Sequence, residues 1–175
     1  MSNSNFKIKG NNMKRSILLS LLIFLVGCYA RPTEKTGLEG KPMPDFDLWL
    51  ADSSTYFNTG KISSGMPTVL FYFGPHCPYS KAQMEDILSN MKMFKDVNFY
   101  IFTTTVFPEM KEFYEHYSLG KYPNIVTGID TAIFFPTYFK AQGVPYLAIY
   151  GKDKRLKEAF VGKVSAKHIK RVVDN

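Results

Sequence analysis

From Thr68 to Phe73 every residue is β-branched, bulky apolar or aromatic. A run of that kind predicts a central strand buried on both faces. Gly74 and Pro75 end it, and Pro78 suits the first position of a helix whose N-cap is Cys77. Beyond it, Met84, Ile87, Leu88, Met91 and Phe94 recur at helical spacing. Glu85 and Asp86 come early and Lys92 and Lys95 late, an order that complements the helix dipole. Val97 to Thr105 predicts a second buried strand. Pro108 opens a second helix with Met110, Phe113, Tyr114 and Tyr117 on one side, closed by Gly120. Strand, helix, strand, helix in this order implies right-handed crossovers and a parallel pair of strands.

The flanking segments are less periodic. Lys41 to Leu50 begins extended, because residues ahead of prolines are pushed toward β geometry. Asp52-Ser53-Ser54 reads as a turn, Thr55 to Phe57 as a short strand, and Ser63 to Pro67 as the loop into the central strand. Between Tyr122 and Phe139 the pattern allows an extended Asn124 to Ile129, then a short helix from Thr131 to Phe139 interrupted at Pro136. Gly143-Val144-Pro145 precedes a clear strand, Tyr146 to Tyr150. The turn Gly151 to Lys154 and a strand Arg155 to Val161 complete a hairpin with it. Ser165 caps a final helix toward Val173, with Ile169 and Val172 facing inward.

With 45% hydrophobic residues, 15 Phe and 11 Tyr in 175 residues, the chain has material for one compact domain. Its start has a different character. Met13-Lys14-Arg15 is basic, and Ile17 to Val26 is an apolar run broken only by Ser20, too short to span a bilayer. Such a segment reads as a secretory signal. Its end, Leu25-Val26-Gly27-Cys28, resembles the lipobox of bacterial lipoproteins, in which the cysteine is acylated and becomes the new N-terminus. The expected organisation is therefore a signal peptide over residues 1–27, a lipidated Cys28 with a flexible tether over 28–40, and a domain over 41–175. The polar residues before Met13 make Met13 a second possible start. This organisation implies an envelope protein held to the membrane by lipid, facing the periplasm.

That reading changes the meaning of the net charge of +7. Lys7, Lys9, Lys14 and Arg15, and no acidic residue, precede Cys28, so the remaining chain is only mildly basic. A nucleic-acid partner loses its support. Cysteine use becomes sharper. With Cys28 acylated, Cys77 is the remaining free thiol and no intramolecular disulfide can form; a lone exported thiol is either reactive or paired with another molecule. At a helix start, free N–H groups and the dipole favour the thiolate, which makes Cys77 a candidate nucleophile. A retired cysteine packed as a small apolar residue is the alternative. His76 is either its proton partner or an exposed loop histidine. His116 and His168 read as surface helix residues. No Cys/His spacing resembles a metal site, and no cofactor is implied. Phe134, Phe135, Tyr138, Phe139 and Tyr146 read as core, some of them lining the face around Pro145.

The combination of a buried strand, a Cys-Pro-x-x helix start, a strand–helix–strand crossover and Gly-Val-Pro before a hairpin and last helix resembles the thioredoxin superfamily. The likeness is greatest to its extracytoplasmic, membrane-tethered TlpA-like or redoxin branch, whose Gly-x-x-x-Pro-Asp-Phe-x-Leu opening is matched by Gly40 to Leu48. This resemblance implies an α/β thioredoxin-like fold with a central mixed β-sheet flanked by helices and a cis-Pro145 opposite the Cys77 helix start. It also implies that the Val144 backbone pairs with an extended substrate beside the mixed disulfide, with Pro145, Pro78 and Tyr79 around it.

Two departures stand out. Ser80 occupies the place of the resolving cysteine of dithiol members, although its hydroxyl could donate a hydrogen bond to the Cys77 thiolate. Phe71 occupies the place of the buried aspartate that relays protons in thioredoxins, which leaves His76 as the nearest proton carrier in the sequence. The implied function is thiol–disulfide exchange through one cysteine, with exported thiol or disulfide proteins or a small thiol as partners and an external thiol for release. A non-catalytic binding module on the same fold is the alternative. A peroxidase of the peroxiredoxin type is disfavoured, because its Pro-x-x-x-Thr-x-x-Cys motif aligned on Cys77 meets Leu70 and Gly74.

Overall fold

The computed structural model describes residues 33–175. The signal peptide, both possible starts and Cys28 lie outside the described residues. Among the described residues no helix is long and apolar enough to cross a membrane.

Strand β3 (Thr68–Tyr72) sits near the middle of a mixed sheet. It pairs in parallel with β4 (Asn98–Thr103) and antiparallel with β6 (Tyr146–Tyr150). On one side β4 carries β5 (Ile125–Ile129) in parallel, and the antiparallel β1 (Asp47–Leu50) and β2 (Tyr56–Asn58) follow. On the other, β7 (Leu156–Val161) pairs antiparallel with β6. The order is β2-β1-β5-β4-β3-β6-β7.

Among the described residues four helices cover the sheet: α1 (Pro78–Ser89), α2 (Phe107–His116), α3 (Phe134–Phe139) and α4 (Ala166–Asp174). The pleat of β3 shows how the faces divide. Val69 and Phe71 join the core made with Met84 and Ile87 of α1, Met110 and Phe113 of α2, and Ile169 and Val172 of α4. Leu70 joins the opposite core, with Phe135 and Phe139 of α3, Phe102, Tyr146 and Phe46. Both faces of β3 are thus sealed, as an unbroken apolar run requires.

Several details depart from the sequence reading. The first helix stops at Ser89, and Met91–Phe94 continues as a 3-10 turn. The second ends at His116 rather than running to Gly120. Ser118 takes the left-handed conformation (φ 50°) there, and Gly120 lies in a 3-10 turn with no room for a Cβ against the Tyr114 hydroxyl. Pro136 does not interrupt α3. It is the third helical residue, where the backbone N–H it lacks would have no intrahelical partner.

The segment expected to be a loose tether is ordered from Thr33 onward. It lies along the free edge of β7 through bridges Glu34 to Ala159 and Pro42 to Arg155. Gly40 and Met43 donate their backbone N–H groups to Leu156 and Lys154, and Leu156 donates to Lys41. An exposed sheet edge presents unpaired backbone groups, and this strap covers those of β7. Glu34 places a carboxylate near the buried Tyr146 hydroxyl. Burial first, and then that charge, push the tyrosine pKa up.

His168, expected on the surface, is half-buried between α4 and β7, edge-on to Phe160 and 3.9 Å from Glu158. Burial, reinforced by Arg171, lowers its pKa below 6.5. The unfolded chain therefore takes up this proton at higher pH than the folded one does. Stability should fall as pH drops just below 6.5, until the folded form is protonated too. Urea midpoints measured from pH 7.5 to 5 are expected to show a flatter acid limb for His168→Gln than for the native chain.

Candidate active site

Three parallel strands, β3, β4 and β5, end at the same edge of the sheet, and the loops leaving them assemble the site. After β3 the chain turns through Gly74, whose carbonyl accepts the Cys77 N–H at 3.0 Å. Cys77 is extended (φ −73°, ψ 120°) and is the N-cap of α1. Pro78 begins the helix with its fixed φ, and the cysteine side chain makes no capping bond. The sulfur is therefore not used to hold the helix start. Cys77 is half-buried and is the sole free cysteine among the described residues.

Sγ of Cys77 lies 3.5 Å from the carbonyl oxygen of Val144, to which the thiol donates. The Val144–Pro145 peptide is cis. Gly74 makes this approach possible. A Cβ there would stand 3.0 Å from Cγ2 of Val144 and 3.4 Å from Cβ of Cys77. On the far side, the carbonyl of Pro145 accepts the Gly162 N–H at 2.6 Å, which ties the loop to the end of β7.

Ser80 is fully buried, and its Oγ accepts the Gly74 N–H at 3.2 Å. The hydroxyl thus braces the turn, whereas the hydrogen bond made by the sulfur runs to Val144. Phe71 lies beneath, fully buried and 6.1 Å from the ring of Phe73. No carboxylate occupies that place. His76 is exposed and its Nε2 lies 3.5 Å from Oε2 of Glu109 on α2. Glu109 in turn accepts a hydrogen bond from the Thr105 hydroxyl, the largest influence lowering its pKa, with His76 adding to it.

Glu109 and Thr105 escaped the sequence reading. The available signal was an acid in the first turn of the helix that follows the strand next to β3. A cleft of about 180 Å3 opens between this turn and α2, lined by Pro75, His76, Lys81, Glu112, Phe113 and His116 among others. Tyr117 at its margin donates to Glu85 at 3.4 Å, and burial together with that carboxylate pushes its pKa up to about 12.

Three exposed apolar side chains follow the three parallel strands in sequence: Tyr79 after β3, Val106 after β4 and Ile133 after β5. The predicted aromatic group is core. Phe135, Phe139 and Tyr146 are buried, with Phe134 and Tyr138 packed at the margin. Among the described residues no cluster of three metal-ligating side chains occurs.

No family model matches the chain, and no curated protein matches it. Solved structures do. An uncharacterised conserved protein from Geobacillus kaustophilus superposes with a TM-score of 0.57 at 23% identity, covering 68% of this chain and 66% of its own, just under two thirds. A secreted Mycobacterium tuberculosis disulfide oxidoreductase homologous to E. coli DsbE superposes at 0.61 with 19% identity, over 74% of this chain and 94% of its own. Peroxidoxin BcpB from Mycobacterium tuberculosis reaches 0.64 at 15% identity, over 77% and 94%. At these identities the likeness is one of fold. A mixed sheet flanked by helices, with Cys77 at a helix start facing a cis-proline, makes the fold of this chain thioredoxin-like.

Proposed function

We propose that this protein carries out thiol–disulfide exchange through Cys77 alone, as a lipid-anchored protein of the bacterial envelope. The observation that carries the reading is the 3.5 Å approach of Cys77 Sγ to the Val144 carbonyl. A partner strand hydrogen-bonding to the backbone around Val144 would bring its own sulfur against Cys77. The exposed Tyr79, Val106 and Ile133 offer apolar contact to an extended partner. The disulfide oxidoreductase among the structural neighbours is consistent with this chemistry, and its being secreted is consistent with an envelope location.

With Ser80 in place of a second thiol, a mixed disulfide on Cys77 persists until an outside thiol attacks it. Partners are exported proteins with thiols or disulfides, or a small thiol. Mass spectrometry of the chain purified from bacterial membranes and challenged with an oxidised small thiol at neutral pH is expected to show two modifications. One is an adduct at Cys77, absent in Cys77→Ser; the other is acyl mass on the peptide beginning at Cys28. An unmodified Cys77 would overturn the exchange function.

A second reading, a binding module that holds an extended peptide without chemistry, is favoured by the engagement of Ser80 with Gly74 and by the apolar Phe71. Unchanged partner capture by Cys77→Ser separates the two. The peroxidase reading draws only on the fold of the peroxidoxin neighbour. The close packing of Gly74 against Val144 leaves little space for the threonine that reading requires.

A further inference from the structure

The basic residues of the chain are not spread evenly. Lys163, Lys167, Lys170 and Arg171 fall within nine residues that hold no acidic side chain, and the rest of the chain from Cys28 onward is balanced to within one side-chain charge. Helix α4 sorts them. Ala166, Ile169, Val172 and Val173 are buried in the first core, so Lys167, Lys170 and Arg171, spaced three and four apart, share the outer stripe. Lys167 and Arg171 are exposed. Lys163 stands just ahead of the helix, 3.8 Å from Asp86. The acids that border the stripe are engaged: Asp174 with Lys170, Asp86 with Lys163 and the Ala166 N–H, and Glu158 with Thr33 and His168.

The described residues begin beside this stripe. The Thr33 hydroxyl donates to Oε2 of Glu158 at 3.1 Å, the same oxygen lies 3.9 Å from Nε2 of His168, and Arg171 donates to that ring at 3.0 Å. Three successive contacts thus join the start of the strap to the outer face of α4. Cys28 precedes Thr33 by five residues, a length that reaches at most about 18 Å when fully extended. A lipid on Cys28 therefore keeps the stripe within short reach of the bilayer.

Resting on the lipid anchor proposed above, we propose that the outer stripe of α4 docks on the anionic phospholipid headgroups of the membrane that holds Cys28. Its charge alone binds weakly, since each Lys or Arg beside such a surface is worth about fivefold. The anchor supplies the rest, because a stripe tethered this closely meets headgroups at a high effective concentration. Docking then fixes which way the domain faces, where an anchor alone would leave it free to turn.

The acylated chain, purified from bacterial membranes, is reconstituted into vesicles of phosphatidylcholine, either alone or with about one third phosphatidylglycerol. Lysines are acetylated briefly with a membrane-impermeant reagent, and mass spectrometry gives the rate at each one relative to the exposed Lys121. In the anionic vesicles Lys163, Lys167 and Lys170 are expected to react about tenfold more slowly than in the neutral ones, and about 1 M salt should erase the difference. Lys167→Gln with Arg171→Gln should weaken docking about 25-fold and restore the rates at Lys163 and Lys170. Lys92→Gln with Lys95→Gln removes the same charge from a separate recess beside Tyr122 and Pro123 and should leave the protection intact. Rates indifferent to lipid charge, with Cys28 acylated, would overturn the docking, leave the anchor standing and turn attention to an acidic protein as the partner of the stripe. Protection that survives Lys167→Gln with Arg171→Gln, or that is lost equally in Lys92→Gln with Lys95→Gln, would overturn it as well. Absence of acyl mass on the Cys28 peptide would instead overturn the anchor and the docking together.

Discussion

Asp130→Ala is expected to lower the stability of the domain by about 3 kcal/mol, the loss of one buried and one half-buried hydrogen bond to a charged acceptor. Asp130 is fully buried after β5. One of its carboxylate oxygens accepts the Phe134 N–H at 3.0 Å and the other the Phe135 N–H at 2.7 Å. These are first-turn N–H groups of α3, which have no intrahelical acceptor. Alanine leaves the Phe135 donor buried and unpaired and the half-buried Phe134 donor without its protein acceptor. The residue just before the helix, Ile133, has φ 54°, a left-handed backbone that is costly for a β-branched side chain. The two bonds to Asp130 hold the chain in that conformation, so their loss also releases the loop.

Phe135 sits at the centre of the second core, 4.9 Å from Phe102 and 5.7 Å from Tyr146 between ring centroids. Displacing α3 therefore disturbs the packing beneath Tyr146, the residue that follows Pro145. In urea, with a slope of about 1–3 kcal/mol per molar, the midpoint should move down by at least about 1 M. Asp130→Asn keeps one acceptor oxygen and should lose roughly half as much. If Asp130→Ala unfolds at the native midpoint, the two bonds do not hold α3.

The same segment shows where the sequence stops being legible. Strand β3, the Cys77 helix start and the β6–β7 hairpin are written in local pattern: an unbroken apolar run, a proline after a cap, a turn between two strands. Those signals need no knowledge of distant residues, and the folded chain places each element within a residue or two. Helix α3 depends instead on a carboxylate four and five residues upstream and on an isoleucine in a left-handed conformation, a choice that local propensity opposes. The expectation of a helix broken at Pro136 followed from propensity alone.

The site divides in the same way. Cys77 and Pro145 stand in short motifs, and the resemblance they carry implied the cis peptide. The contact between His76 and Glu109 joins the loop after β3 to the first turn of α2, which only the parallel pairing of β3 and β4 brings side by side, and nothing near either residue announces it. The strap from Glu34 to Met43 was hidden for a related reason. Its bonds are backbone groups meeting the edge of β7, and edge pairing imposes no period on short polar sequence.

Ser80→Cys is expected to give the largest functional change, accelerating release of a partner from the Cys77 mixed disulfide by about 100-fold or more over the native chain in millimolar external thiol. Helix geometry puts Cα atoms three residues apart at about 5 Å, inside the Cα separations of about 4.4–6.8 Å that a disulfide spans. The introduced sulfur would take the place of an oxygen that now receives the Gly74 N–H, inside the turn that carries Cys77. A thiol held there acts at an effective concentration far above millimolar. It should displace the partner and leave a disulfide between Cys77 and the introduced cysteine, detectable as a loss of two mass units from the reduced chain.

Phe71 sets a further property of this variant. With no buried carboxylate beneath the turn to accept its proton, the introduced thiol must lose that proton to solvent, and only the thiolate attacks. The rate of release should therefore climb about tenfold per pH unit on the acid side of the thiol's own titration. Stopped-flow release of a fluorescent cysteine peptide from the preformed mixed disulfide, recorded from pH 6 to 9, measures both effects. An unchanged rate would mean that something other than a missing resolving thiol holds the partner on Cys77. A fast, pH-independent rate would mean that another group delivers the base that Phe71 does not, with the Glu109–His76 pair the first to be substituted in search of it.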